Sequence, residues 1–306
     1  MTPAEVTALV DDALRAVRAR CGPELHEAFD ALMERHGWLR GEDPEYYIGV
    51  NSQPVLVLPL WLAGRHDPAP DVLADLLTSS WLGYAAVRVQ DDHMDEGLGE
   101  PVATMFLGQA FFAAHQAGIA RIVGPDPAYW DTFERIWADY GAAMLMERRL
   151  LDPTATLGAA EYDAILRRSL PLLLPSAALL HRLGLQHQLD DLQTLVFHAV
   201  RAAQLFNDAM DARDDLAGGR HTWIVRRFGG ADGAGPMMKK LVLGGGIEEL
   251  FAESSADLDQ ARAAALRLGL DDAADWIDRR KGMMKAAIDQ ALQALFARLL
   301  SGGSPD

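Results

Sequence analysis

One stretch limits what this chain can become: Val72 to Val89 is long and almost wholly apolar, and it ends in the acidic run QDDHMDE. Its length and composition predict a helix. In a helix Asp91 and Asp95 lie one turn apart and point the same way, with Asp92 beside them. Like charges so placed repel, and a helix C-terminus already carries partial negative charge, so the cluster is destabilising unless a cation sits there. Two readings follow. One is a hard divalent cation with oxygen ligands, since Mg²⁺ takes one or two protein carboxylates and completes its shell with water and substrate phosphate. The other is a solvated acidic helix end.

Around that stretch the chain is punctuated in helical lengths. Thr2 before Pro3, Ala4 and Glu5 reads as a helix start, and that helix runs to about Arg20 and stops at Gly22-Pro23. A second helix is expected from about Glu24 to His36, a loop from Trp38 to Ser52, and a buried apolar helix from Gln53 to Ala63 despite its prolines. A turn from Gly64 to Pro70 then offers Asp71 as N-cap of the long helix. Further helices are expected at 102–123, from the GPDP break to Arg148-Arg149, at 159–183 with kinks at Pro171 and Pro175, and at 188–216, 247–268 and 271–300. In the 188–216 helix Leu192, Leu195, Val196, Ala199, Ala203 and Phe206 form a buried stripe. The glycine-rich GGADGAG at 229–235 follows no strand, so it predicts a flexible connection, a candidate mobile cover, and not a phosphate loop. The last residues, 301–306, read as a disordered tail. With no sustained strand alternation, repeat period or long linker, one all-α domain is expected over 1–306, with helices and a loop in 1–52 preceding a core in 53–300.

Half of the 306 residues are hydrophobic, enough for a sizeable core. The formal charge of −16 argues against nucleic acid and anionic membrane surfaces, and it makes a phosphorylated substrate puzzling unless metal ions intervene. The single cysteine, Cys21, excludes an intrachain disulfide framework and fits a reducing cytoplasm. Neither a signal peptide nor a membrane-spanning run is read, so a cytoplasmic protein is expected.

A second acidic cluster stands in QLFNDAMDARDDLAGGRHT, near the end of the 188–216 helix. Asn207, Asp211 and Asp215 are spaced four apart, so one helical face offers three oxygen ligands over two turns, with Asp208 and Asp214 beside them. Either cluster alone is as readily a solvated face. Two of them, each ending a long apolar helix, favour a metal site at the rim of one cavity in a helical bundle.

In these residues the chain resembles the class I isoprenoid synthase superfamily, which comprises trans-isoprenyl diphosphate synthases and class I terpene synthases. The resemblance covers roughly Gln53 to Phe228. LTSSWLGYAAVRVQDDHMDE is similar to that family's first aspartate-rich helix, and ILRRSLPLLLP is similar to a segment where its prenyl synthases carry a lysine-threonine pair, here Arg168 and Ser169. AQLFNDAMDARDDLAGGRHT is similar to its second aspartate-rich segment, with Gly219-Arg220 in the glycine-lysine places. Asn207, Asp211 and Asp215 fall on the metal triad of the terpene synthases.

The resemblance implies a helical bundle around a central apolar cavity and three Mg²⁺ ions. Their ligands would be Asp91 with Asp92 or Asp95 on one wall and Asn207, Asp211 and Asp215 on the other. It also implies a prenyl diphosphate substrate and a homodimer. Arg168, and second Arg220, would donate to phosphate oxygens or else form ion pairs. Trp81, Tyr84, Phe206 and Trp137 would shield an allylic cation or simply fill the core. Departures matter too: GLGEPVA has Glu100 where an elongating synthase has arginines, and GVNSQPV lacks its basic group. A second diphosphate then has no cationic site. The expected activity is therefore a terpene cyclase or related lyase using one linear prenyl diphosphate, geranylgeranyl or farnesyl. A chain-elongating prenyltransferase and a non-catalytic partner subunit of the same fold are the alternatives.

Overall fold

Thr2 caps the first helix from both directions, its hydroxyl accepting from the Glu5 N–H while the Glu5 carboxylate accepts from the Thr2 N–H at 2.6 Å. In the computed structural model this helix is the first of a series of helices. They are α1 (Pro3–Arg20), α2 (His26–His36), α3 (Val57–His66), α4 (Pro70–Asp95), α5 (Pro101–Val123), α6 (Pro127–Leu150), α7 (Ala159–Leu166), α8 (Leu174–Arg182), α9 (Leu189–Ala217), α10 (Trp223–Arg227), α11 (Ala234–Met238), α12 (Gly246–Arg267) and α13 (Asp271–Leu300). Short 3₁₀ turns and one π-turn link them, and no strand occurs among the described residues. The structure describes residues 1–39, 47, 54, 56–95, 100–150, 152 and 155–300, without the side chains of Asp95, Leu150, Ala291, Leu292 and residues 294–300. Most of the expected 38–52 loop and the whole expected 301–306 tail lie outside the described residues. Among those described, no helix is long and apolar enough to cross a membrane.

Several boundaries differ from expectation for local reasons. Pro59 sits in the first turn of α3, where backbone N–H groups have no intrahelical partner, so it costs the helix nothing. Gly64 lies inside α3, and α4 opens on Pro70 in place of an Asp71 cap, because proline at the first helical position already has the required φ. The expected 159–183 helix is divided: Pro171 lies in a 3₁₀ segment, Arg167–Leu173, between α7 and α8. The glycine-rich 229–235 segment is folded and not a free connection. Gly229 takes a left-handed conformation, and a Cβ on Gly230 would stand 2.4 Å from Val225 Cγ1, so the turn closes tightly against α10. The two short helices α10 and α11 had no periodicity long enough to reveal them.

Contacts within the chain divide it into two compact units, 1–135 with 171–190, and 136–170 with 191–306. The first is built on the α4–α5 pair. Small residues let the two backbones approach: a Cβ on Gly118 would lie 2.8 Å from Ser79 Cβ, and one on Gly83 would lie 2.6 Å from His115 Nδ1. The buried His115 donates from Nδ1 to the Ser79 carbonyl at 2.7 Å, and burial pushes its pKa down to about 4. Leu14, Phe29, Leu77, Ala86 and Phe111 fill the space between this pair and α1 and α2. The second unit packs Leu205, Ala212, Ile224, Val225, Leu241 and Leu250 into a core shared by α9, α10, α12 and the π-turn, Lys239–Leu243. Arg201 bridges Asp163 and Asp257, and His198 pairs with Asp257 at 2.7 Å, so α9 is tied to α7 and α12.

Candidate functional site

The two acidic segments fall in different units, and each has its own geometry. In the first unit, α4 turns neighbouring aspartates to different surroundings. Asp92 is buried, and both of its oxygens are engaged. Oδ2 lies 2.6 Å from His36 Nε2 and 3.6 Å from Arg35, while Oδ1 accepts from Arg88 Nη2 at 3.0 Å. Asp91 is half-buried and lies 3.8 Å from Arg88. The cations that the acidic helix end needs are thus partly the protein's own, brought to Asp92 by the last turn of α2. As a metal ligand Asp92 has no oxygen to spare, and Asp91 is the more accessible of the two. The expected ligand Asp95 has its side chain outside the described residues.

In the second unit, the α9 stripe continues straight into the acidic segment: Leu205, Asp208, Ala212 and Asp215 are buried, at intervals of three and four. Tyr162 donates its hydroxyl to Asp208 Oδ2 at 3.0 Å, and Gln204 donates to Oδ1 at 2.6 Å. Burial, reinforced by the negative charge of Asp215, raises the Asp208 pKa to about 6, against the pull of those two donors and of Arg168. Asp215 takes Arg220, whose Nε and Nη2 lie 2.8 and 2.7 Å from its Oδ1. Asn207 and Asp211 are exposed. The expected face of three equivalent ligands is therefore divided: an exposed pair one turn apart, and a third member turned inward under an arginine.

Asp208 was read only as a neighbour of the triad. The signal that finds it is the stripe itself, which passes through Ala202 and Leu205 where Ala203 and Phe206 were expected; both of the latter are half-buried.

Compared with protein-family models, curated proteins and solved structures, the chain matches none. The remaining candidate residues are judged on geometry alone. Arg168 lies on the 3₁₀ segment, donates to Glu147, and is close enough to Asp208 and Tyr162 for its charge to act on both. Trp81 and Tyr84 are core aromatics of the first unit. The Trp81 ring meets Trp38 edge-on at 5.5 Å and Tyr47 at 4.5 Å, and it lies 5.2 Å from Tyr84. Phe206 lines a small apolar pocket with Leu250, Phe251 and Ile288. Trp137 is half-buried beside Tyr140.

Among the described residues, no three His, Cys, Asp or Glu side chains converge closely enough to hold a metal. The oxygen donors nearest to fitting Mg²⁺ are the exposed Asn207 and Asp211, with Asp215 one turn further on if Arg220 releases it. The donor chemistry fits a hard cation, and ligand and arginine compete for the third position.

Proposed function

We propose that this protein is a class I terpene synthase, of the isoprenoid synthase bundle type, acting on one linear prenyl diphosphate of farnesyl or geranylgeranyl length. The observation that carries the reading is the exposed pair Asn207 and Asp211 on one face of α9, with Asp215 continuing the series, in a chain whose other acidic helix end also offers Asp91. Oxygen donors of this kind suit Mg²⁺, which when bound supplies Lewis-acid stabilisation of a leaving diphosphate. Asn207 and Asp211 would hold it, Asp215 would join them when Arg220 turns from the carboxylate to a phosphate oxygen, and Asp91 is the candidate ligand that the other acidic helix end offers. Arg168 is the second phosphate donor. Its partner Glu147 is half-exposed, and a diphosphate offers a guanidinium stronger bidentate hydrogen bonds.

The absence of basic residues in GLGEPVA and GVNSQPV favours one diphosphate over two, and so cyclisation or elimination over chain growth. The test is incubation with geranyl, farnesyl or geranylgeranyl diphosphate and Mg²⁺, with and without isopentenyl diphosphate. A hydrocarbon or terpene alcohol from one substrate is the expected product. A longer diphosphate would mark a prenyltransferase, and no turnover at any chain length would mark a non-catalytic protein. Asp91→Ala and Asn207→Ala each abolish turnover on this reading while the helical circular dichroism signal stays intact.

A further inference from the structure

The last turn of α9 folds its own counter-ion onto the acidic face. Gly219 takes a left-handed conformation, its N–H donates to the Leu216 carbonyl at 3.1 Å, and the Arg220 N–H donates to the Asp215 carbonyl at 2.7 Å. This pair of bonds is the glycine stop that sets the residue after the glycine against the third residue from the helix end. Here those two residues are Arg220 and Asp215, an ion pair where such turns usually carry an apolar contact. Nε and Nη2 of Arg220 both donate to Asp215 Oδ1, at 2.8 and 2.7 Å, and the charges of Asp211 and Asp214 reach the same guanidinium. The two partners are unequal. The Asp215 side chain is 9% exposed and fixed in the buried stripe, whereas that of Arg220 is 59% exposed and can swing into solvent.

We propose that Arg220 stands in for a divalent cation on the α9 face and yields its place only to a multiply charged phosphate, so that metal and phosphate bind with positive coupling through this one side chain. The coupling rests on the proposed roles of Asn207, Asp211 and Asp215, and it regulates that same site. Acids spaced four apart at a helix C-terminus repel one another and the helix dipole, and Arg220 relieves both. It also takes the oxygen that a third ligand needs, and its charge opposes a cation beside Asp211. A metal arriving alone therefore finds Asn207 and Asp211 only. A diphosphate offers the guanidinium two oxygens at once, a better match than the single oxygen it holds on Asp215. Arg220 then leaves Asp215 to the metal, and by linkage each ligand raises the affinity of the other by the same factor.

The overall charge gives the device its use. At −16 the chain attracts cations, so a bare acidic face would hold divalent metal whether or not a phosphate ester were present. Direct attraction between metal and phosphate couples those ligands in any protein, so the property that distinguishes Arg220 is how the metal behaves alone. Arg213 supplies the comparison. It carries the same charge and is exposed on the same helix end, but residues two apart on a helix do not face each other, so Arg213 is turned away from Asp215.

Titration of the full chain with Mn²⁺, followed by the electron paramagnetic resonance signal of the free ion, tests the coupling. With no phosphate present, Arg220→Gln binds Mn²⁺ about tenfold more tightly than the wild type, whereas Arg213→Gln, which removes the same charge, gains less than about threefold. Asp215→Asn added to Arg220→Gln abolishes the gain. Calorimetry with the preformed Mg²⁺ complex of inorganic pyrophosphate gives the opposite sign, Arg220→Gln binding it about tenfold more weakly. Loss of structure lowers both affinities and so does not imitate this split. Equal gains for Arg220→Gln and Arg213→Gln overturn the coupling, as does unchanged or weaker Mn²⁺ binding, or undiminished binding of the pyrophosphate complex, by Arg220→Gln. In each of those cases the proposed site still stands if Asn207→Ala loses the Mn²⁺ that the wild type binds. No Mn²⁺ bound by either the wild type or Arg220→Gln at millimolar concentration overturns both.

Discussion

Asp92 and Asp211 look alike in the sequence, each an aspartate within an acidic run at the end of a long helix, but they are held by different forces. Asp92 is buried among Arg35, His36 and Arg88, so Asp92→Ala leaves two arginines and a histidine without their common partner. We expect a loss of about 3 kcal/mol, read from urea denaturation. Asp211 is exposed, and Asp211→Ala changes stability by no more than about 0.5 kcal/mol while removing turnover on the proposed reading. Measured together, the two variants separate an acid that holds the fold from one that serves a ligand. His115 sets a pH dependence of its own. Its folded pKa of about 4 lies below the ordinary value of 6.5, so below pH 6.5 the unfolded chain takes up the proton more readily than the folded one. Its contribution to stability is complete above pH 6.5 and falls as the pH drops towards 4, by roughly 3 kcal/mol in all. His115→Asn removes that part of the acid sensitivity, visible as a flatter plot of unfolding free energy between pH 4 and 7. The chemistry of these residues was legible in the sequence, whereas their exposure was not. The partners that bury Asp92 and Asp208 lie 56 and 46 residues away.

At the scale of elements, helix starts and stops were the most legible feature, because caps and breakers act within one turn. Thr2 with Glu5, Gly37 in the left-handed conformation at the end of α2, and Gly219 after α9 all act locally. A proline's cost depends on its position within the turn, and Pro59 in the first turn of α3 is tolerated, as the helix expected there requires. Glycines carry a further distinction that only packing resolves. Gly118 of α5 faces Ser79 of α4, so Gly118→Ala forces the two helices apart and costs about 1–3 kcal/mol, more than the gain in helix propensity. Gly141 of α6 has nothing within 4 Å of an added Cβ, and Gly141→Ala stabilises by about 1 kcal/mol. Opposite shifts in thermal midpoint for these two substitutions check the claim. The same reasoning separates the faces of α9: the buried stripe continues through Asp208 and Asp215, so four-residue spacing alone assigned three oxygen ligands to one face when the core had already claimed Asp215.

For the whole molecule, charge sets the terms of association. At −16, self-association strengthens as salt shortens the range of repulsion, from about 30 Å at about 0.01 M to about 3 Å at about 1 M. Any contact between copies therefore tightens with added NaCl, the reverse of a contact held by ion pairs, and sedimentation at the two salt levels reads the sign. The boundaries between the two compact units fall within α6, within the 3₁₀ segment Arg167–Leu173 and near the start of α9. What the sequence determined by itself was the helical class, the helix starts and stops set by local caps and breakers, and the chemistry of the acidic runs. Hydrogen bonding four residues apart, capping and glycine or proline geometry are all properties of a short window of chain. What only the tertiary structure decided was which aspartates are covered and by which cations, and which apolar helix face is left in water. Burial depends on residues brought together from distant parts of the chain, and no local pattern encodes that distance.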